Sequence, residues 1–240
     1  MKKIVEEYKV LLRSVPAFVT ASFVLCTVWM NLAASKIIFN AFNVAVTGGF
    51  IMSWAPFLCM DSVCKRFGAR AAILLNILSA LGNIASVILF AIVAAIPTPG
   101  SDYTAFNSVF GCVWFIALCS TLAFVISGVV NSLLNAAIGK LFKKNPDGKL
   151  AFFTRAYIST FIGQAVDNFL FIAGVYCIFA PIYWGMSLPV TTCIGTAIVG
   201  GLFELIVEII FSPIGYISSK RWAEEGVGQE YVDKYVKKTA

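Results

Sequence analysis

Six stretches of the chain, near 16–35, 45–64, 71–96, 109–135, 154–182 and 188–217, each run about 20 residues or more with at most two charges. A helix of about 20 apolar residues covers the ~30 Å hydrocarbon core of a bilayer. In lipid every backbone N–H and C=O must be satisfied internally, which restricts a spanning segment to a helix or a closed barrel strand. The pattern predicts an all-α integral membrane protein of six transmembrane helices. The second stretch is the least regular, because it carries Gly48, Gly49 and Pro56. With 60% hydrophobic and 12% charged residues, the chain is neither an ordinary soluble domain, which has about 25% charged residues, nor a disordered one.

The basic residues fix the expected orientation. Lys2, Lys3, Lys9 and Arg13 precede the first stretch. Lys65, Arg66 and Arg70 follow the second. Lys140, Lys143, Lys144, Lys149 and Arg155 lie between the fourth and the body of the fifth. Lys220, Arg221, Lys234, Lys237 and Lys238 follow the sixth. That places 17 of the 18 basic residues on one side, with Lys36 alone on the other. By the positive-inside rule both termini face the cytoplasm. The net charge of +6 then reflects topology and the anionic inner leaflet rather than nucleic acid.

Residues 1–15 read as an interfacial amphipathic helix. Ile4, Tyr8, Leu11, Leu12 and Val15 share one face, and Lys3, Glu6, Lys9 and Arg13 lie elsewhere. No small-residue cleavage site follows a short apolar core, as a signal peptide requires. Residues 16–217 form the expected six-helix membrane domain, and 218–240 a polar cytoplasmic tail with Trp222 at the headgroup level. The seven cysteines form no CxxC pair and are expected as apolar packing rather than a disulfide framework.

The chain has no histidine. This removes Ser-His-Asp and Cys-His nucleophiles, HExxH zinc sites and haem-histidine ligation. No GxxxxGK[ST] loop is present either. No cofactor, no metal and no enzymatic activity is expected.

A charge near mid-membrane costs at least about 2.5–3.5 kcal/mol, so Asp61, Arg155, Asp167, Glu204 and Glu208 each need a reason. At about 1.5 Å per residue, Asp167 falls near the midplane, and Glu204 and Glu208 in the cytoplasmic half. These two glutamates are four apart and share a face. Three polar stripes accompany them: Asn76, Ser79, Asn83 and Ser86; Ser127, Asn131 and Asn135; Thr160, Gln164, Asp167 and Phe171. Such faces avoid lipid and are expected to converge on an interior, as a binding site or as hydrogen-bonded helix contacts.

Several blocks are similar to those of one family. Asn31-Leu32-Ala33-Ala34-Ser35-Lys36 resembles its Asn-xxxx-Lys block. Gly49, Asp61 and Phe67-Gly68-x-Arg70-Ala71 resemble its next block. Arg155-x-x-x-Ser159-Thr160-x-x-Gly163-Gln164-x-x-Asp167-x-x-x-Phe171 is the most specific match. Glu208-x-x-x-x-Pro213-x-x-Tyr216 resembles the last. The chain thus resembles the VUT family of vitamin uptake transporters, the queuosine-precursor transporters. It departs in carrying Gly128-x-x-Asn131 where the family has Gln-x-x-Asp, Trp54 where a proline stands, Lys65 for an acid and Glu204 for a lysine. The last two departures suggest a swapped ion pair, Lys65 with Glu204.

The resemblance implies a bundle like the substrate-binding subunits of energy-coupling-factor (ECF) transporters, importing a 7-deazaguanine or related purine-like base. A carboxylate accepts the two adjacent N–H donors of such a base, Gln or Asn completes its edge, and an aromatic ring stacks on its face. The candidate substrate-binding residues are Asn31, Trp54, Asp61, Asn83, Asn131, Arg155, Gln164, Asp167, Phe171, Glu204 and Glu208. Two mechanisms follow: alternating access by the chain alone, or a binding subunit that needs a separate ATPase module. The expected partners are the small-molecule substrate and the lipid bilayer, with a homo-oligomer and an ECF module left open.

Overall fold

In a computed structural model of the chain, the described residues are 2–33, 36–42, 44–97, 103–104, 106–107, 114–142, 148–183, 185 and 187–237. Ala34, Ser35 and Cys112, the start of the fourth expected span, and the basic pair Lys143 and Lys144 lie outside them.

Helix α1 (Lys2–Ser14) meets α2 (Ala17–Ala33) at 108°. A two-stranded antiparallel hairpin follows, β1 (Ile37–Ala41) and β2 (Val44–Thr47). Phe50–Ala95 is helical over 46 residues, about 69 Å at 1.5 Å per residue and more than twice a bilayer core. It is broken at Gly68, whose φ of 83° and ψ of 166° are accessible to glycine and strained for other residues. We label its arms α3 (50–67) and α4 (69–95). Then come α5 (Trp114–Gly139) and α6 (Lys149–Ala173). Helix α6 continues through a π-helical stretch, Gly174–Phe179, into α7 (Ala180–Tyr183). The chain returns as α8 (Val190–Glu224) and ends in α9 (Gln229–Tyr231) and a π-helical turn, Val232–Val236.

Four of these helical runs are long and apolar enough to cross a membrane: Phe50–Ala95, Trp114–Gly139, Lys149–Ile182 and Val190–Glu224. The α1–α2 pair would make a fifth if the two bent helices are taken as one span. Their outward faces expose Ile84, Ile88 and Ile92 on α4 and Ile206, Ile210, Ile214 and Ile217 on α8. Water rejects so continuous an apolar surface; lipid does not. The interior is polar instead, with Asp61, Asn76, Asn131, Gln164, Glu204 and Glu208 all at most 1% exposed. The described residues are thus those of a helical membrane protein.

The hairpin was not expected. It takes up residues 45–47, which the apolar pattern assigns to the second span, and the helix starts only at Phe50. Val44, Ala45 and Val46 are apolar at any period, and a run this short does not distinguish strand from helix.

The basic end is closed by the two termini packing together. Phe67 sits between Trp222 and Tyr231, with ring centroids at 6.3 and 6.1 Å. Arg70 grips Glu7 in a two-pronged pair of 2.6 and 2.7 Å, and the Tyr231 hydroxyl donates to the same carboxylate at 3.1 Å. Glu7 is 2% exposed whereas Ile4 and Leu12 are exposed. The face of α1 that packs inward is therefore Glu7, Val10, Leu11, Ser14 and Val15, rotated from the face the apolar pattern suggested. Trp222 is buried in this packing. The Phe-Gly-x-Arg block is thereby explained: an aromatic anchor, a joint that only glycine suits, and a guanidinium for the N-terminal helix. The six described cysteines are free, with the Cys177 and Cys193 sulfurs 3.7 Å apart.

Candidate functional site

Helices α3, α5, α6 and α8 turn their polar stripes toward one another and stack them in two tiers. The spacing explains the convergence. Asp61 and Ser53 are eight apart on α3, or about 12 Å. Asn131 and Asn135 are one turn apart on α5. Thr160, Gln164 and Asp167 follow each other on α6. Thr196, Gly200, Glu204, Glu208 and Ser212 recur every fourth residue on α8, and all five are buried.

The lower tier, toward the basic end, centres on Asp61. Its Oδ1 accepts from Asn131 Nδ2 at 3.0 Å and Asn135 Nδ2 at 2.8 Å, with the Ser159 hydroxyl at a marginal 3.5 Å. Its Oδ2 accepts from Thr160 Oγ1 at 3.1 Å. Arg155 and Glu208 are near enough to act on it electrostatically.

The upper tier surrounds a small cavity of about 40 Å³. Ser53, Ser120, Asp167, Asn168, Thr196 and Glu204 supply its polar lining, with Met30, Phe50 and Phe171 beside them. Val46, Thr47 and Gly49 of the hairpin close one side. Ser53 Oγ donates to Glu204 Oε1, and Gln164 Nε2 donates to the Ser53 carbonyl at 3.3 Å. Asp167 accepts from Ser127 Oγ at 2.8 Å. The Asn168 amide lies beside the Glu204 carboxylate without forming a hydrogen bond of normal geometry. Asn168 Nδ2 and Glu204 Oε2 are therefore a buried donor and a buried acceptor with no partner. Unpaired buried groups cost about 1–3 kcal/mol each and are rare without a function. At this volume the cavity holds about three water molecules.

The expected residues divide by location. Asp167, Phe171 and Glu204 line the cavity. Gln164 holds its wall through Ser53, and Asn31 bonds Ser120 at its edge. Asp61, Asn131, Arg155 and Glu208 form the lower tier and do not line the cavity. Asn83 donates to Thr121 Oγ1 at 2.7 Å and ties α4 to α5. Trp54 stacks on Phe211 at 4.1 Å and lines a separate apolar groove of about 440 Å³ between α3 and α8. The Lys65–Glu204 pair does not form. Glu204 bonds Ser53, which lies twelve residues and about 18 Å along the helix from Lys65.

Sequence reasoning overlooked Ser53, Asn168, Thr196 and the hairpin. Ser53 is a single polar residue in an apolar run, whereas Asn168 follows Asp167 directly and continues the α6 stripe one turn beyond Gln164. Thr196 belongs to the every-fourth stripe of α8, which was legible once extended beyond its two glutamates.

Residues 47–218 match the sequence profile of a family described as "putative vitamin uptake transporter". That range takes in Asp61 and every polar residue of α5, α6 and α8 named above, and leaves the Asn31–Lys36 block outside. No curated protein and no solved structure matches the chain.

Proposed function

The chain belongs to the vitamin uptake transporter family, and from that membership and the lining of the cavity we propose that it imports a queuosine precursor, a 7-deazaguanine or related purine-like base, across the cytoplasmic membrane by alternating access. In this reading α2, α3, α4, α5, α6 and α8 are six spans. Both termini lie on the cytoplasmic side, at the basic end where α1 and the C-terminal segment pack together.

The observation that carries the substrate reading is the pairing of Asn168 Nδ2 with Glu204 Oε2 as unfilled donor and acceptor beside Asp167. A guanine-like edge presents two N–H donors next to a carbonyl. A carboxylate takes the donors and an amide N–H the carbonyl. Phe50 and Phe171 supply faces for the flat ring. Ligand pockets run about 300–1,000 Å³, so the cavity must widen to admit a base. The hairpin and α8 share its wall with α2, α3, α5 and α6.

The test is uptake of labelled 7-deazaguanine by cells lacking their own carrier, and by the purified protein in liposomes. Asp167→Asn and Gln164→Ala are expected to lose uptake at normal expression. Wild-type uptake in both variants would falsify the site. Uptake in cells but none in liposomes, with an ATPase co-purifying, would favour a binding subunit of an ECF-type transporter.

A further inference from the structure

The lower tier lies outside the cavity, and its chemistry is that of a carboxyl pair. Glu208 is fully buried and faces Asp61 and Thr160, yet neither of its carboxyl oxygens receives a hydrogen bond. Asp61 beside it collects Asn131, Asn135 and Thr160 as donors and has Arg155 close by. Two neighbouring carboxylates in a dry interior do not both stay ionised. Donors and a guanidinium favour the anion on Asp61, and a carboxyl without donors keeps its proton. Asp61⁻, Arg155⁺ and protonated Glu208 sum to zero charge. The titratable and charged groups facing the pair are Cys64 on α3, Arg155 on α6 and Glu204 on α8. From α5 it meets the amides of Asn131 and Asn135.

We propose that Asp61 and Glu208 form a proton-binding site, separate from the substrate cavity, that couples the inward movement of cargo to that of one proton. The coupling rests on the carrier reading; the proton site itself does not. Glu208 is one turn from Glu204 on α8, and Thr160 is one turn from Gln164 on α6. A tilt of α8 that opens the cavity also parts Glu208 from Asp61. Glu208 then releases its proton to the basic side, and water entering between the parted carboxyls solvates its carboxylate. It takes a proton from the other side as the contact with Asp61 re-forms, with no electron transfer at any step. A metal ion is disfavoured because Arg155 already supplies positive charge beside Asp61.

Infrared spectroscopy of the purified full chain tests the site without any substrate. A protonated-carboxyl C=O band that shifts in D2O is expected at neutral pH, lost in Glu208→Gln and displaced in Glu208→Asp. A spectrum unchanged in both correctly folded variants overturns the proposal. In liposomes, an acid-outside gradient of one pH unit is expected to accumulate labelled 7-deazaguanine about tenfold, since one proton then carries ~1.4 kcal/mol. Glu208→Gln is expected to retain exchange and lose accumulation. Accumulation driven by a sodium gradient instead, or by the pH gradient equally well in Glu208→Gln, also overturns it. If the wild-type protein moves no 7-deazaguanine, the substrate reading fails and the infrared measurement still decides the proton site.

Discussion

The two tiers of the interior use the same residue types to opposite ends. In the lower tier Asp61 has three well-formed donors and a nearby guanidinium, and it does not line the upper cavity. In the upper tier Asp167 and Glu204 each accept one side-chain hydrogen bond and line open space. A carboxylate whose lone pairs are filled by its own fold has little left to offer a ligand. One left with spare lone pairs facing a cavity can bind cargo. Donors and cavity lining together therefore set Asp61 apart from Asp167 and Glu204, which depth in the membrane alone does not.

The largest expected effect comes from removing Asp61, whose oxygens collect three donors. Asp61→Ala leaves the amides of Asn131 and Asn135 and the Thr160 hydroxyl without their buried acceptor. Removing one partner of a buried ionic set costs about 3–5 kcal/mol, enough to lower the thermal midpoint in detergent by many degrees or to abolish expression. By contrast, Asp167→Asn and Glu204→Gln keep shape and replace one acceptor oxygen where few donors depend on it. They are expected to stay within about 1 kcal/mol of wild-type stability and to lose cargo binding about tenfold or more, as removal of a buried charged partner does. Equal destabilisation by Asp61→Ala and Asp167→Asn would erase the distinction between tiers.

Much of this was readable from the residues. The long apolar runs, the one-sided basic residues and the stripes of α5 and α6 follow from helical period and membrane energetics. The break at Gly68 was hinted at by the turn between two runs. What was not readable is which stripe meets which. The stripe of α4 looks as promising as that of α6, but Asn76 donates to the Phe124 and Val125 carbonyls and Ser79 to the Asn76 carbonyl. Those are backbone acceptors, and no side-chain pattern records them. Glu7 was similarly hidden. A lone acid on an amphipathic helix reads as solvated until its partners, Arg70 and Tyr231, arrive from 63 and 224 residues away.

The α4 stripe gives a third, intermediate expectation. Gly128 takes the place of a glutamine in the family pattern because Asn76 occupies the space. A Cβ there would stand 2.1 Å from Asn76 Nδ2. Gly128→Val is expected to cost about 1–3 kcal/mol by overpacking and to part α4 from α5. Pairing it with Asn76→Ala should recover part of that loss, since the obstructing amide is then gone. Thermal midpoints of the two single variants and the double variant read the coupling. If the double variant is no better than Gly128→Val alone, the glycine is there for another reason.

The smallest effect is expected at the exposed edge of the termini, where charges face water. Lys234 bonds Glu6 at 2.7 Å and Lys237 pairs with Asp233 at 2.7 Å. These lysines hold both carboxyls below the usual carboxylate range. A carboxyl whose folded value is depressed contributes its stabilisation fully above its unfolded value, and loses it as pH falls through the folded value. Docking of the C-terminal segment on α1 is therefore expected to be unchanged from pH 8 to 5 and to loosen below about pH 4. Both pairs are solvent-exposed, so the change is small and screened by salt. The distance between spin labels at Lys9 and Glu230 would report it. Tyr231→Phe removes a buried donor to Glu7 and is expected to cost about 1 kcal/mol, widening that distance at every pH rather than only in acid. A distance that already changes between pH 8 and 5 would mean that the exposed pairs are not what sets the docking.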